Sequence, residues 1–380
     1  MRLCNHNILD KKYIRLDYFR FSHPLGNSSA KHWFRLLVEN RFDVHIFFLP
    51  RILFVSLTTL FIIPFRLLEE IVYGRRIENA KPKPPLFILG HPRSGTTFLH
   101  YVLSKDPELA FSSTYEVMTP HQFLTMGWLW RSLYKLAMPS TRPMDNLKMG
   151  ADLPLEEEFA LSLMSNASMM NGFYFPKRWL FYLRKYALFE NGSEADVATW
   201  KRHFLYFLKK LTVKHGNKRL LIKSPGNTSR IKQILELFPE AQFIHIHRNP
   251  YEVYVSFERL FEKLIPVVGL QQVSREDVSL CVLECYKGMM GKYLEYRALI
   301  PEKQLCEFRF DEFIDKPLQL LEAAYQHLGK ENFAEARPFF KEEILNHAHF
   351  QQNKYEISEE LKEKIYSEWK FAFDAFGYDA

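Results

Sequence analysis

The sequence predicts an α/β fold: three layers, with a central parallel sheet flanked by helices and an added helical segment at the N-terminus. Two observations carry this. Short apolar runs at 86–89, 219–223 and 242–247 alternate with stretches of helical pattern, as βαβ units do. A glycine-bounded loop joins the first run to the helix that follows it. The composition agrees. Of 380 residues, 47% are hydrophobic and 25% charged, which excludes a disordered, collagen-like or disulfide-scaffold chain. Aromatics reach 16%, enough to raise the prospect of contact with lipid or an apolar substrate.

The first 80 residues read apart from the rest. Residues 1–45 are polar, basic and aromatic, and no apolar core follows the start directly, so no secretory signal is read. Residues 46–65 read IFFLPRILFVSLTTLFIIPF. Arg51 interrupts this run, and the uncharged stretch from Ile52 to Phe65 holds about 14 residues, short of the ~20 of a spanning helix. An interfacial membrane helix is expected, with a core helix and a true span as alternatives. Upstream cations such as Lys31, Arg35 and Arg41 would favour acidic lipid. Pro82, Pro84 and Pro85 then form a stiff connector, which divides a segment 1–80 from a main domain 81–380.

Leu86–Leu89 reads as a buried strand, followed by Gly90-His91-Pro92-Arg93-Ser94-Gly95-Thr96-Thr97 and a helix. Strand, glycine-bounded loop and helix make an anion cradle, because free amides and the helix dipole both favour negative charge there. A tight strand–helix turn without a ligand is the plain alternative. Gly90 and Gly95 have the Walker A spacing, but Thr96 stands where nucleotide triphosphatases carry Lys, and the charge comes from Arg93. A kinase also needs an acidic strand end for magnesium. The later strands end instead at Lys223 and at His247-Arg248. The site is therefore expected to hold anions with side-chain cations and no metal. That suits sulfuryl transfer, since a sulfuryl group carries less charge than a phosphoryl group.

Four stretches resemble the sulfotransferases that use 3′-phosphoadenosine 5′-phosphosulfate (PAPS), and are most similar to the bacterial-type family. Pro92–His100 resembles the 5′-phosphosulfate loop. Arg142–Leu161 resembles a segment with a Pro-x-Glu-acidic-Glu core. Ile222–Pro225 with Phe238–Ser256 resembles the 3′-phosphate half-site, and Phe308–Pro317 the strand and helix that close the fold. The resemblance implies a P-loop-like fold related to nucleotide kinases. It implies that Arg93, Ser94, Gly95, Thr96 and Thr97 bind the 5′-phosphosulfate, and that Arg93 stabilises the leaving phosphate. Arg248 and Ser256 would grip the 3′-phosphate, and Lys223 would aid transfer. Glu156 becomes the first candidate for general base or acceptor contact. Asn353, Lys354 and Tyr355 resemble a segment near the nucleotide. Where many members carry Lys-Ser-Pro-x-His, this chain has Lys223-Ser224-Pro225-Gly226-Asn227. Asn accepts no proton near neutral pH, so the role of that His is dispensable or filled elsewhere.

Each residue also has a plainer reading. Glu156, Glu157 and Glu158 follow Pro154 at a helix start, where a solvated acidic face is common. Lys223 could be solvated, and Arg248 and Ser256 ordinary surface groups. His245 and His247 share a strand face, where packing is expected over a metal pair. His100 is a reserve base. Cys281 and Cys285 read as buried small hydrophobes on a helix, and four Cys in all favour a reducing compartment. The Met- and aromatic-rich stretch 166–200 would wall an acceptor pocket or form a packed insertion.

The sequence thus points to transfer of a sulfuryl group from PAPS to a hydroxyl or amine of a lipid, lipid-linked, sugar or small-molecule acceptor. A P-loop kinase or hydrolase and a non-catalytic, membrane-associated nucleotide-binding scaffold are the competing readings. The net charge of +7 favours anionic partners and a membrane surface, but is too dispersed for nucleic acid. The expected location is cytoplasmic, peripheral at the membrane. Asn166-Ala-Ser and Asn191-Gly-Ser match glycosylation acceptors and keep a Golgi-anchored form as the alternative.

Overall fold

The structure, a computed structural model, describes residues 23–141, 147–347 and 357–379. The cations before residue 23, residues 142–146 of the acidic motif and the Asn353-Lys354-Tyr355 segment lie outside the described residues.

Helix α1 (Ala30–Glu39) starts at Ser29, whose hydroxyl accepts from the His32 amide. Helices α2 (Leu49–Phe61) and α3 (Ile63–Asn79) follow almost without a break. Pro50 and Pro64 stand in their first turns, where a missing N–H goes unnoticed. The apolar run therefore does not end at Pro64. It continues into one helical stretch, Ile46–Asn79, of 34 residues.

The chain then lays down β1 (Leu86–Leu89), α4 (Thr96–Leu103), β2 (Leu109–Phe111), α5 (Phe123–Ala137), α6 (Glu157–Met164) and α7 (Glu194–Lys214). Next come β3 (Arg219–Lys223), β4 (Gln242–His247), α8 (Pro250–Val268), α9 (Arg275–Tyr296) and β5 (Leu305–Arg309). Helices α10 (Pro317–His327), α11 (Phe333–Asn346) and α12 (Glu359–Phe376) complete the described chain.

The five strands form one sheet in the order β2-β3-β1-β4-β5, all parallel. Strand β1 is central and every residue of it is buried, which is why it reads as an unbroken apolar run. Alternate side chains feed two cores. Leu86, Ile88, Leu221 and Ile244 face Leu99, Leu321 and Phe340 of α4, α10 and α11. Phe87, Leu220, Ile222 and Phe243 face the larger cluster, with Phe204 of α7, Phe257 of α8 and Trp369 of α12. Helix, sheet and helix are the three layers expected. Strands β1, β3 and β4 fall on the expected boundaries; β2 was not anticipated.

The N-terminal helices join the larger core through Trp33, Leu36, Phe48 and Val55. The buried Arg51 guanidinium donates to the carbonyls of Gly269 (3.1 Å) and Pro266 (3.0 Å). Glu69 pairs with the equally buried Lys210 of α7. The segments before and after the proline connector thus share one apolar interior.

Register sets the site. Ile88 lies opposite Lys223, and Leu89 opposite His245, so the carboxyl ends of β1, β3 and β4 are level. In open parallel sheets this edge faces the ligand crevice. His245 and His247 do share a face, but His245 stacks on Tyr293 (3.7 Å between centroids) and His247 bonds the Tyr378 hydroxyl (2.9 Å). Cys281 and Cys285 are buried on α9, as expected of small hydrophobes.

Candidate active site

The loop from β1 to α4 is shaped by its glycines. Gly90 has φ +148° and Gly95 +100°. A Cβ on Gly95 would stand 2.3 Å from the Phe310 ring, so no other residue fits there. Ser94 turns its hydroxyl back to the His91 carbonyl (2.8 Å), and the Gly90 amide donates to Thr228 Oγ1 (2.8 Å). Helix α4 begins at Gly95 with no side-chain cap, so its first-turn amides are disposed toward an anion. Arg93 adopts φ +75°, a conformation that costs a residue with a β-carbon on the order of 1–3 kcal/mol. Its Nε donates to Ser256 Oγ at 2.9 Å, which ties the loop to α8.

Lys223 ends β3 at 2% side-chain exposure, so it is not solvated. Its Nζ lies 2.5 Å from Glu156 Oε1 and 3.5 Å from Thr97 Oγ1. Lys223, Glu156 and Thr97 are thus brought together from three elements, with Thr96 buried in the same first turn of α4. Arg248 stands apart from them. It follows β4, donates to Glu252 Oε2 at 2.5 Å and lies over the Phe310 ring at 4.5 Å. Pro250 opens α8 at its first turn, as expected. The same Phe310 ring packs against Gly95, so one aromatic side chain braces both the loop and Arg248.

The acidic triplet is not a solvated face. Its members separate into three environments. Glu156 stands just before α6 without capping it, and its partly exposed carboxylate pairs with Lys223. Glu158 is buried against Arg230, which donates to both its oxygens at 2.5 and 3.0 Å. Glu157 is fully buried and accepts from Asn227 Nδ2 at 2.5 Å, while its second oxygen has no partner. Burial, reinforced by the Glu158 carboxylate, pushes the Glu157 acid up to about 8. It is therefore mostly protonated at neutral pH. Asn227 faces this acid. His100 is buried with both ring nitrogens unpartnered, and burial holds it well below the usual imidazole range. That environment keeps it neutral.

Beside the loop opens a cavity of about 650 Å³. Arg93, Thr97, Glu156 and Ser224 form its inner, polar end. Phe54 and Phe61 of α2 and Trp130 and Tyr134 of α5 lie in its apolar wall, with Met169, Met170 and Phe173 from the Met-rich stretch. The rest of that stretch, including Trp179 and Tyr182, is packed core, so both expectations for it hold in part. Arg248 and Ser256 are not in the cavity lining, though Ser256 accepts from Arg93, which is. Sequence reasoning missed the N-terminal wall, the Glu157–Asn227 pair and the bracing by Phe310. The apolar run at 46–65 was the visible signal for the first.

Among the described residues no cluster of three or more His, Cys, Asp or Glu is placed to hold a metal ion. The side chain of Asn166, in one glycosylation triplet, is already engaged: its amide donates to Glu39 (3.0 Å) and its oxygen meets His32 Nδ1 (2.9 Å).

Comparison with known proteins gives the family and the fold. The Sulfotransferase family matches residues 84–335. The chain is 32% identical over 351 residues to the omega-hydroxy-beta-dihydromenaquinone-9 sulfotransferase Stf3 of Mycobacterium bovis, covering 91% of this chain and 89% of the relative. The protein of that name from Mycobacterium tuberculosis matches equally. Among solved structures, sulfotransferase STF9 from Mycobacterium avium superposes with a TM-score of 0.69 at 17% identity, covering 100% of this chain and 99% of that one. Sulfotransferase STF1 from M. tuberculosis gives 0.63 at 16% identity, covering 96% and 99%. At these identities the two structures speak to the fold.

Proposed function

The chain belongs to the sulfotransferase family, and on that premise we propose that it carries a sulfuryl group from PAPS to the hydroxyl of an apolar, lipid-like acceptor. The observation that carries this reading is the Lys223–Glu156 pair, 2.5 Å apart, where the anion loop meets the apolar cavity. On this reading the loop supplies the cradle, Lys223 the cation and Glu156 the base.

In the proposed reaction Glu156 accepts the proton of the acceptor hydroxyl. The oxygen attacks sulfur in line, an O–S bond forms, and the S–O bond to the 5′-phosphate breaks. The electron pair stays on the phosphate oxygen, where Lys223, Arg93 and the α4 amides offset the charge. Preorganised donors of this kind lower a barrier by several kcal/mol, because they need not reorient during reaction. Arg248 and Ser256 suit the 3′-phosphate: the Arg fork binds two oxygens once Glu252 yields it. Glu157 and His100 are passed over as base because both are buried and neither lines the cavity. Glu156 thus takes the base role while Asn227 occupies the position of the family His.

The acceptor class follows from the cavity. Its polar end is small and its wall apolar, which supports a hydroxyl at the end of an apolar chain over a sugar. The mycobacterial relative's name describes a hydroxylated menaquinone, an acceptor of the same chemical class.

The test is a thermal-shift titration with 3′-phosphoadenosine 5′-phosphate, beside ATP with and without magnesium. A ligand at 100 times its Kd adds about 2.7 kcal/mol of stability. Stabilisation by the bisphosphate in EDTA, with little from ATP, is expected. A response to magnesium-ATP alone would replace this reading with the kinase one.

A further inference from the structure

Helices α2 and α3 leave an apolar stripe uncovered. Leu53, Leu57, Leu60, Phe61, Leu67 and Ile71 recur at helical spacing, and each is more than half exposed. Helix α5 lies beside α3, its first amides at Leu124 and Thr125 donating to Glu69 (2.6 and 3.1 Å). It adds Trp128 and Leu136, 69% and 86% exposed. Contiguous apolar surface on this scale marks an interaction site.

We propose that this face rests on a lipid leaflet with anionic headgroups and that the cavity opens into that leaflet. An apolar acceptor then reaches Glu156 without crossing water. This rests on the lipid-like acceptor reading above. Continuity supports it: Phe61 belongs to the stripe and also lines the cavity, and the lining residues Trp130 and Tyr134 sit on the helix that exposes Trp128. Charge supports it too. Over residues 30–79 the exposed cations are Lys31, Arg35, Arg41, Arg66, Arg75 and Arg76, against Asp43, Glu70 and Glu78. Asp43 is already paired with Lys177.

The helical stretch lies on the membrane rather than through it. By length and composition Ile46–Asn79 could span, with a mean hydropathy of 2.2 in its most apolar window. Its other face, however, carries Arg51 and Glu69, each 2% exposed and bonded to the body of the protein. Lipid on all sides would strip both charges of these partners, which disfavours a span. One face docked in protein and one in lipid is the geometry of an interfacial helix.

The experiment is co-sedimentation of the full chain with phosphatidylcholine vesicles, with and without phosphatidylglycerol. Wild type is expected to pellet, more strongly with the anionic lipid. The double variant Leu53→Glu/Leu57→Glu should lower the partition coefficient at least ~100-fold. It should keep its thermal shift with 3′-phosphoadenosine 5′-phosphate, since neither residue lines the cavity. Leu136→Glu, on a different helix, should act in the same direction and guards against misfolding of the double variant. Wild type left in the supernatant with both vesicle types would overturn the proposal. So would a wild-type dimer that the double variant dissociates, because a second copy would then cover the face. Vesicle binding without a bisphosphate response would support the docking face and sink the donor reading separately.

Discussion

Replacing Glu157 with Gln should make the protein more stable at neutral pH, although it removes a carboxylate from the acidic string beside the site. The side chain is fully buried, with one oxygen bonded to Asn227 and the other unpartnered. Its acid is pushed from 4.5 up to about 8, chiefly by burial and then by Glu158. The sign follows from proton linkage. Between pH 4.5 and 8 the unfolded chain has lost this proton and the folded chain keeps it, so stability falls as pH rises. The slope is about 1.4 kcal/mol per pH unit, and about 2.5 units lie between 4.5 and neutrality, which gives about 3 kcal/mol. Gln has the shape of the protonated acid and still accepts from Asn227, but does not titrate. For 380 residues, at about 2.1 cal/mol/K each, the gain corresponds to about 4 °C in Tm at pH 7. The assay is paired melts of wild type and variant from pH 5 to 8. The gap should widen with pH and close toward pH 4.5. A variant less stable at pH 7, or a gap independent of pH, would refute a buried, protonated Glu157.

Other variants separate chemistry from scaffolding. Lys223→Met and Glu156→Gln should each lower kcat by about 100- to 1,000-fold, and Glu156→Gln should spare the thermal shift with the bisphosphate; a loss under threefold in either would remove that residue from the reaction. Gly95→Ala forces a β-carbon toward Phe310 at φ +100° and should abolish the bisphosphate response, measured by thermal shift. Arg230→Met strands the buried Glu158 carboxylate and should cost about 3–5 kcal/mol in urea unfolding; a change under about 1 kcal/mol would mean the pair is dispensable.

What the sequence disclosed depends on burial. Strands β1, β3 and β4 are covered on both faces, so their apolar runs stand out. Strand β2 is three residues at one edge, and β5 at the other edge carries Glu307 and Arg309, so neither has a clear apolar signature. The anion loop was legible because Gly90, Arg93 and Gly95 sit within six positions and act largely through the backbone. The partner of Lys223 was not, since Glu156 lies 67 residues away and its two acidic neighbours look identical in sequence. Only packing separates a carboxylate at a crevice from one facing Asn227 and one facing Arg230. Helix α2 shows a different ambiguity. Both of its faces are apolar, so periodicity could not say that Val55 is covered while Leu57 is bare.

The cavity is walled from two parts of the chain, a smaller share coming from the N-terminal helices. Arg93, Thr97 and Glu156 lie within residues 84–335, whereas Phe54, Thr58 and Phe61 come from upstream. Under the proposed function, substitutions in α2 would recut part of the acceptor wall without touching Arg93, Thr97 or Glu156. Selectivity and chemistry become separately variable traits, free to diverge at different rates. An assay of residues 84–335 for donor binding would then miss the part of the wall that α2 supplies.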